Sequence, residues 1–227
     1  MGSAGGLNAP GAFVTGTGTE VGKTVVAAAI ARTRVAAGER VAVFKPAVTG
    51  LDDPGEPDHE LLRRAAGSKQ PDDAIAPYRY GPPASPHLAA ELAGERIDPV
   101  RLVRAAGSAA EGCDYLVCEG VGGLMVPLAE GYLVRDFARE LGLPLVVAAS
   151  AGLGTINHTL LTLEAARSAG LEVAGVVLTP WPRDPGSVQA SNLATLAALA
   201  GAVPATLPQL DLADPDSWPP LEVPAAA

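Results

Sequence analysis

With 227 residues, 48% of them hydrophobic but only 4% aromatic, the chain can bury one sizeable core packed mostly by Val, Leu, Ile and Ala. A formal charge of −9 without a Lys/Arg cluster argues against nucleic acid as a partner. No apolar stretch exceeds a strand or an alanine-rich helix, and no basic segment leads into an apolar run at the start, so a soluble cytoplasmic protein with no membrane partner is expected.

Strand-like apolar segments fall at residues 12–15, 40–44, 115–118, 144–148 and 173–178, with a weaker sixth at 202–207. Helical patterns lie between them at 23–37, 59–66, 86–93, 99–111, 134–141, 155–168 and 187–200. This alternation predicts an α/β fold with a mostly parallel sheet flanked by helices, in one domain over residues 1–227. Gly38, Gly142 and Gly170 stand where helices must stop, and Asp98-Pro99 sets a capping carboxylate ahead of a first-turn proline. Residues 1–10 and 216–227, rich in small residues or proline, read as poorly ordered. Cys113 and Cys118 lack metal-site spacing and read as buried thiols in a reducing compartment.

After the first strand comes Gly16-Thr17-Gly18-Thr19-Glu20-Val21-Gly22-Lys23-Thr24, which opens the first helix. A glycine-bearing turn running into Gly-Lys-Thr offers backbone N–H groups, a helix dipole, an ammonium and a hydroxyl to one anion, so a nucleoside triphosphate is the expected ligand. The spacing is Gly16, five residues, Gly22, one longer than the usual phosphate loop, and an ordinary glycine turn is the alternative. In the nucleotide reading Lys23 reaches the phosphates and Thr24 coordinates Mg²⁺, while Thr19 and Glu20 crown the loop. A carboxylate is costly beside polyphosphate, so Glu20 faces a cationic or hydrogen-bonding substrate or else plain solvent.

Lys45, at the end of the second strand, reads as a second cationic clamp on the same anion or as a surface lysine, with Thr49 able to hydrogen-bond nearby. Residues 49–86 form a proline-rich excursion that reads as an active-site wall. Asp58 at a helix start and Glu119 at a strand end could complete a Mg²⁺ site with Thr24, although each could instead cap backbone N–H groups. His87 and His158 read as structural.

Five ordered motifs resemble the dethiobiotin synthetase family, within the phosphate-loop NTPase superfamily: residues 16–24, Lys45-Pro46-Ala47-Val48-Thr49-Gly50, Ser85-Pro86-His87, Glu119-Gly120-Val121-Gly122-Gly123, and Gly154-Thr155-Ile156-Asn157-His158. The resemblance spans roughly residues 12–210 and includes the five-residue loop spacing. It implies ATP-dependent closure of 7,8-diaminononanoate with CO₂ to dethiobiotin, with ATP as co-substrate and Mg²⁺ as metal. By the same resemblance Lys23, Lys45 and Thr19 serve catalysis, while Glu20, Val21, Gly22, Lys23, Thr24, Val25, Thr179 and Pro180 hold the nucleotide. Thr24, Asp58 and Glu119 hold the metal. Thr19, Lys45, Thr49, Gly122, Met125 and Asn157 meet the substrate, whose methylene tail is expected against Val121, Leu124, Met125 and Val126. Asn157 is implied to come from the second subunit of a homodimer. Where relatives carry an adenine-side asparagine this chain has Thr179-Pro180-Trp181-Pro182, which leaves room for another nucleoside triphosphate.

A regulatory ATPase of the MinD/ParA kind is the rival. Its signature loop lysine would fall at Gly18, and neither a membrane helix nor a basic DNA-binding patch is evident. An amide synthetase, a small-molecule kinase and a non-catalytic nucleotide-binding scaffold are the remaining alternatives.

Overall fold

The computed structural model describes residues 7 and 9–222. Strand β1 (Gly11–Gly16) is buried along its whole length. It pairs in parallel with β3 (Tyr115–Gly123) on one side and β6 (Leu145–Ala149) on the other. With β2 (Val41–Phe44), β7 (Val173–Trp181) and β8 (Ala205–Pro208) the sheet order is β2-β3-β1-β6-β7-β8, parallel throughout. Strands such as Val-Ala-Val-Phe are apolar without alternation because helices cover both faces of the sheet.

Side chains alternate across each strand, so neighbours in β1 serve different cores. Phe13 packs with Phe44, Leu116 and Phe137, against α4 (Pro86–Leu92), α5 (Pro99–Ala110), α6 (Val134–Leu141), α7 (Thr155–Ser168) and α8 (Ser187–Ala200). Val14 packs on the other face with Val43, Val117 and Val146, against α1 (Lys23–Ala36), α2 (Asp58–Ala65) and α3 (Asp72–Ile75). The predicted cap holds: the Val100 N–H donates to Asp98 Oδ1 at 2.9 Å, ahead of Pro99 in the first turn. Cys118 is buried, whereas Cys113 is only partly so, and both are free thiols.

The chain leaves β1 towards β2 on one side, and the connection from β3 crosses β1 to β6 on the other. Divergent connections open a crevice at the carboxyl ends of β1 and β3, where ligands of parallel sheets bind.

Four features depart from expectation. Strand β3 runs on to Gly123 instead of ending at Cys118, because after a bulge Gly123 still pairs with Gly16 of β1, and Gly120, where a Cβ would meet Phe13 and Val134 at 3.1 Å, lets the chain pass closely over the core. A small antiparallel pair, β4 (Pro127–Ala129) and β5 (Tyr132–Leu133), follows it. Helix α3 is a single turn inside the proline-rich excursion. The tail expected to be poorly ordered from residue 216 is instead packed as far as residue 222. Trp218 and Leu221 are buried against the α1 face, Leu221 N–H donates to Thr33 Oγ1 at 2.8 Å, and Arg32 pairs with Asp216 at 2.5 Å. At the other end Leu7 N–H donates to the Leu141 carbonyl at 3.0 Å. The Pro10 carbonyl accepts from Leu116 N–H at 2.9 Å, and residues 1–6, 8 and 223–227 lie outside the described set.

Candidate active site

The loop after β1 is built to hold an anion. Gly22 caps α1 in the left-handed region (φ 86°) with no side-chain cap, and the first helical bond runs from Val26 N–H to the Gly22 carbonyl. The N–H groups of Lys23, Thr24 and Val25 therefore have no partner within the helix and lie at the positive end of its dipole. Glu20 at the crest is the sole non-glycine with positive φ (58°) among the described residues, and its side chain is exposed. Lys23 folds back so that its ammonium donates to the Gly18 carbonyl at 2.9 Å, closing the loop on itself. Burial lowers the Lys23 pKa, opposed at longer range by Glu119.

Beneath the loop, four groups from separate elements meet. Lys45, just past β2 and only 3% exposed, donates to Glu119 Oε1 at 2.6 Å and lies 2.8 Å from Asp58 Oδ2. The Thr24 hydroxyl lies 2.9 Å from Glu119 Oε1 and 3.0 Å from Asp58 Oδ1, giving its one proton to either in turn. Burial works against the Lys45 charge, but the two carboxylates outweigh it and raise its pKa. Burial likewise works against the Asp58 carboxylate, and the Lys45 ammonium reverses this and lowers its pKa. Burial pushes the Glu119 carboxyl up, and Lys45 pulls it back. Asp58 does not cap its own helix: Pro57 occupies that position, and the carboxylate turns to Lys45 and Thr24.

These groups fit a magnesium ion. Glu119 Oε2 is buried with no hydrogen-bond partner, and the donor set of two carboxylates and a hydroxyl is all hard oxygen. No cluster of three or more His, Cys, Asp or Glu able to hold a metal occurs among the described residues. Mg²⁺ keeps several waters and needs only one or two carboxylates besides phosphate oxygens, the number that Asp58 and Glu119 supply.

A cleft of about 740 Å³ joins the loop and the cluster. Of the residues singled out from sequence, Thr19, Glu20, Gly22, Lys23, Thr24, Val25, Lys45, Thr49, Asp58, Glu119 and Gly122 all line it, with Ser85 and Pro86. The proline-rich excursion, expected as an active-site wall, lines the cleft through Gly50, Asp53, Glu56, Leu61 and Pro83. Leu212, far along the chain beyond β8, reaches the same cleft, and no local pattern announces it.

Other expected residues lie elsewhere. The Val21 side chain packs inward, against Gly16 of the loop and the α1-side core, and does not line the cleft. Thr179 is buried with its methyl against Gly22, and neither it nor Pro180 lines the cleft. Of the four residues expected to form an apolar groove, Val121 and Val126 line the cleft and Leu124 and Met125 do not. A turn closed by Val126 N–H on the Gly123 carbonyl at 3.1 Å buries Leu124 in the core and leaves Met125 54% exposed, outside the cleft. Asn157, exposed in the first turn of α7, does not line the cleft.

A parallel sheet of this order, with a phosphate-holding loop leading into α1 and an acidic pair beside a lysine, defines a phosphate-loop nucleotide-binding protein of the α/β class. The family model described as an AAA domain matches residues 11–215. The chain is 47% identical over 199 residues to the ATP-dependent dethiobiotin synthetase BioD of Anaeromyxobacter dehalogenans strain 2CP-1, covering 87% of this chain and 88% of that protein. It is 45% identical to the protein of that name from Rhodococcus jostii, covering 83% and 81%, and 44% identical to that from Streptomyces avermitilis, covering 83% and 79%. The chain belongs to the dethiobiotin synthetase family. In fold it resembles chloroplast FtsY from Physcomitrella patens (TM-score 0.53, 18% identity, 97% of this chain and 64% of that one). It also resembles the kinase domain of Escherichia coli tyrosine kinase ETK (TM-score 0.52, 18% identity, 78% and 70%).

Proposed function

We propose that this chain, acting as one catalytic domain, closes the cyclic urea of dethiobiotin from 7,8-diaminononanoate, CO₂ and ATP, releasing ADP and phosphate. The observation that carries the reading is the Lys45 ammonium, fixed between Glu119 and Asp58 at the foot of the phosphate loop, in a chain nearly half identical to a dethiobiotin synthetase.

One substrate amine adds to CO₂ and loses a proton, giving a carbamate. A carbamate oxygen then attacks the γ-phosphorus, the bond to ADP breaks, and a carbamic-phosphoric anhydride forms. The second amine attacks the carbamoyl carbon and expels phosphate, closing the ring. Lys23 and Lys45 neutralise the carbamate and phosphoryl oxygens where charge concentrates, and the Thr19 and Thr49 hydroxyls orient the carbamate. Lys23, lowered in pKa by burial, gains most from an anion that replaces the Gly18 carbonyl. Thr24, Asp58 and Glu119 would hold Mg²⁺, which when bound neutralises charge between the phosphate oxygens. The backbone from Glu20 to Val25 cradles the phosphates, and Gly122 lets the β3 backbone approach the substrate. Glu20, exposed at the loop crest, is placed to meet an amine.

The substrate carboxylate is assigned to the opening of α7 in a second copy of the chain, near Asn157, making the working unit a homodimer. Supporting this, α7 opens on Gly154 in the left-handed region with no side-chain cap, beside Leu153, which is 94% exposed. No helix among the described residues is long and apolar enough to cross a membrane, and a cytoplasmic location is part of the proposal. The test is to incubate the protein with diaminononanoate, bicarbonate and MgATP and to identify the product by mass. Cyclic urea is the expected product, and its absence from a folded, nucleotide-binding sample overturns the reading.

A further inference from the structure

We infer that Gln70 is a positioning residue for Lys45, its side-chain amide standing where a neighbouring strand would otherwise hold the outer edge of β2; the functional part of this rests on the role proposed for Lys45.

Strand β2 is the edge of the sheet, so its inner side is paired with β3 and its outer side has no strand beside it. The outward backbone groups of Val43 are nevertheless both satisfied. Val43 N–H donates to Gln70 Oε1 at 3.0 Å, and Gln70 Nε2 donates to the Val43 carbonyl at 3.1 Å. One primary amide thus reproduces the donor and acceptor pair of a strand neighbour. Its orientation is fixed by chemistry, since exchanging O and N would set donor against donor and acceptor against acceptor. Ser68 reinforces this: its hydroxyl donates to Gln70 Oε1 at 2.9 Å and accepts from Gln70 N–H at 3.1 Å. Two residues further on, on the same outer side, Lys45 N–H donates to the Ile75 carbonyl at 2.8 Å. The backbone that delivers Lys45 is therefore clamped between β3 inside and Gln70 and Ile75 outside. A catalytic ammonium misplaced by about 1 Å can cost up to about 10²-fold in rate, so freeing the Val43 edge has a catalytic consequence.

The experiment compares Gln70→Met, which keeps the length and removes both bonds, and Gln70→Glu, which sets a carboxylate oxygen against the Val43 carbonyl. Each is made alone and in a Lys45→Ala background. The expected result is a fall in kcat of about 10-fold or more with KM for ATP unchanged, faster hydrogen exchange at the Val43 and Lys45 amides, and little further loss of kcat in the Lys45→Ala background. Unchanged kcat and exchange in both variants, or an equal loss of kcat with and without Lys45, overturns the inference. A near-normal Lys45→Ala enzyme would instead overturn the role of Lys45, with the exchange at Val43 still reporting whether Gln70 holds the edge.

Discussion

Gly22 and Thr179 touch across the gap between the phosphate loop and β7: a Cβ placed on Gly22 would lie 2.6 Å from Thr179 Cγ2. The loop is therefore seated on the sheet at the one residue whose φ of 86° a side chain would also strain. Gly22→Ala is expected to lose nucleotide binding and about 1–3 kcal/mol of stability. Adding Thr179→Ser, which removes the opposing methyl, should recover the steric part but not the backbone part. Calorimetric titration with MgATP and thermal unfolding of the three variants check this. Tight nucleotide binding by Gly22→Ala would contradict it.

Lys45 neutralises two carboxylates that are otherwise crowded together, and it bears on both stability and rate. Lys45→Met should lower turnover by about 10²-fold or more. It should also destabilise the protein without ligand by about 3–5 kcal/mol, because Glu119 is left buried and unpaired. The double variant Lys45→Met with Glu119→Gln should regain much of that stability and none of the activity. Denaturant unfolding and steady-state kinetics on the same preparations separate the two effects.

Glu119 Oε2 is buried without a partner, and it is the group assigned to the metal. Glu119→Gln should raise the magnesium concentration needed for half-maximal turnover by at least about tenfold, as losses of metal-site groups do. A magnesium titration at saturating ATP gives the answer, and an unchanged midpoint would remove Glu119 from the metal site.

An exposed ion pair just before β2 makes a small contribution to acid sensitivity. Arg40 donates to Asp114 from its backbone N–H (2.9 Å) and twice from its guanidinium (3.0 and 2.7 Å), holding the carboxyl at about 2. Because the folded value lies below the ordinary carboxylate value of about 3.9, the contribution to stability is complete above that value. It disappears as pH falls through about 2. Arg40→Ala, which removes the guanidinium but keeps the backbone N–H bond, should raise the Asp114 midpoint part of the way towards the ordinary range in a carboxyl NMR titration. An Asp114 midpoint that does not move would show that another group sets it.

The C-terminal strap should behave as part of the core. Trp218 packs into the α1-side cluster while its indole N–H donates to the Asp211 carbonyl at 2.6 Å, so Trp218→Ala is expected to cost about 3 kcal/mol. Chemical denaturation measures it, and a change below about 0.5 kcal/mol, typical of an exposed site, would place the tail outside the folding unit.

Much of the site was legible because its chemistry sits at fixed places in local patterns. Gly22-Lys23-Thr24 joins a strand to a helix, and Lys45 and Glu119 fall at or near the carboxyl ends of apolar runs, where parallel strands deliver side chains to one crevice. Asp58 was legible as an acid at a helix start, but only its geometry separates a ligand from a cap, since both roles use the same residue type at the same place. What could not be read depends on long-range contact. Gln70 looks like any polar loop residue until its amide meets Val43, and Leu212 joins the cleft only when the chain beyond β8 returns. Leu124 and Met125 are alike in hydrophobicity, and a tight turn alone decides which is buried.

Thr33 and Leu221, hydrogen-bonded to each other, are 188 residues apart in the chain. During synthesis, then, the helix that carries the phosphate loop must wait for the chain as far as Leu221 to emerge before that side is covered. A nascent chain stalled ahead of Trp218 presents the bare apolar flank of α1 to the surrounding solution, a surface that chaperones bind and that drives clumping of incomplete chains.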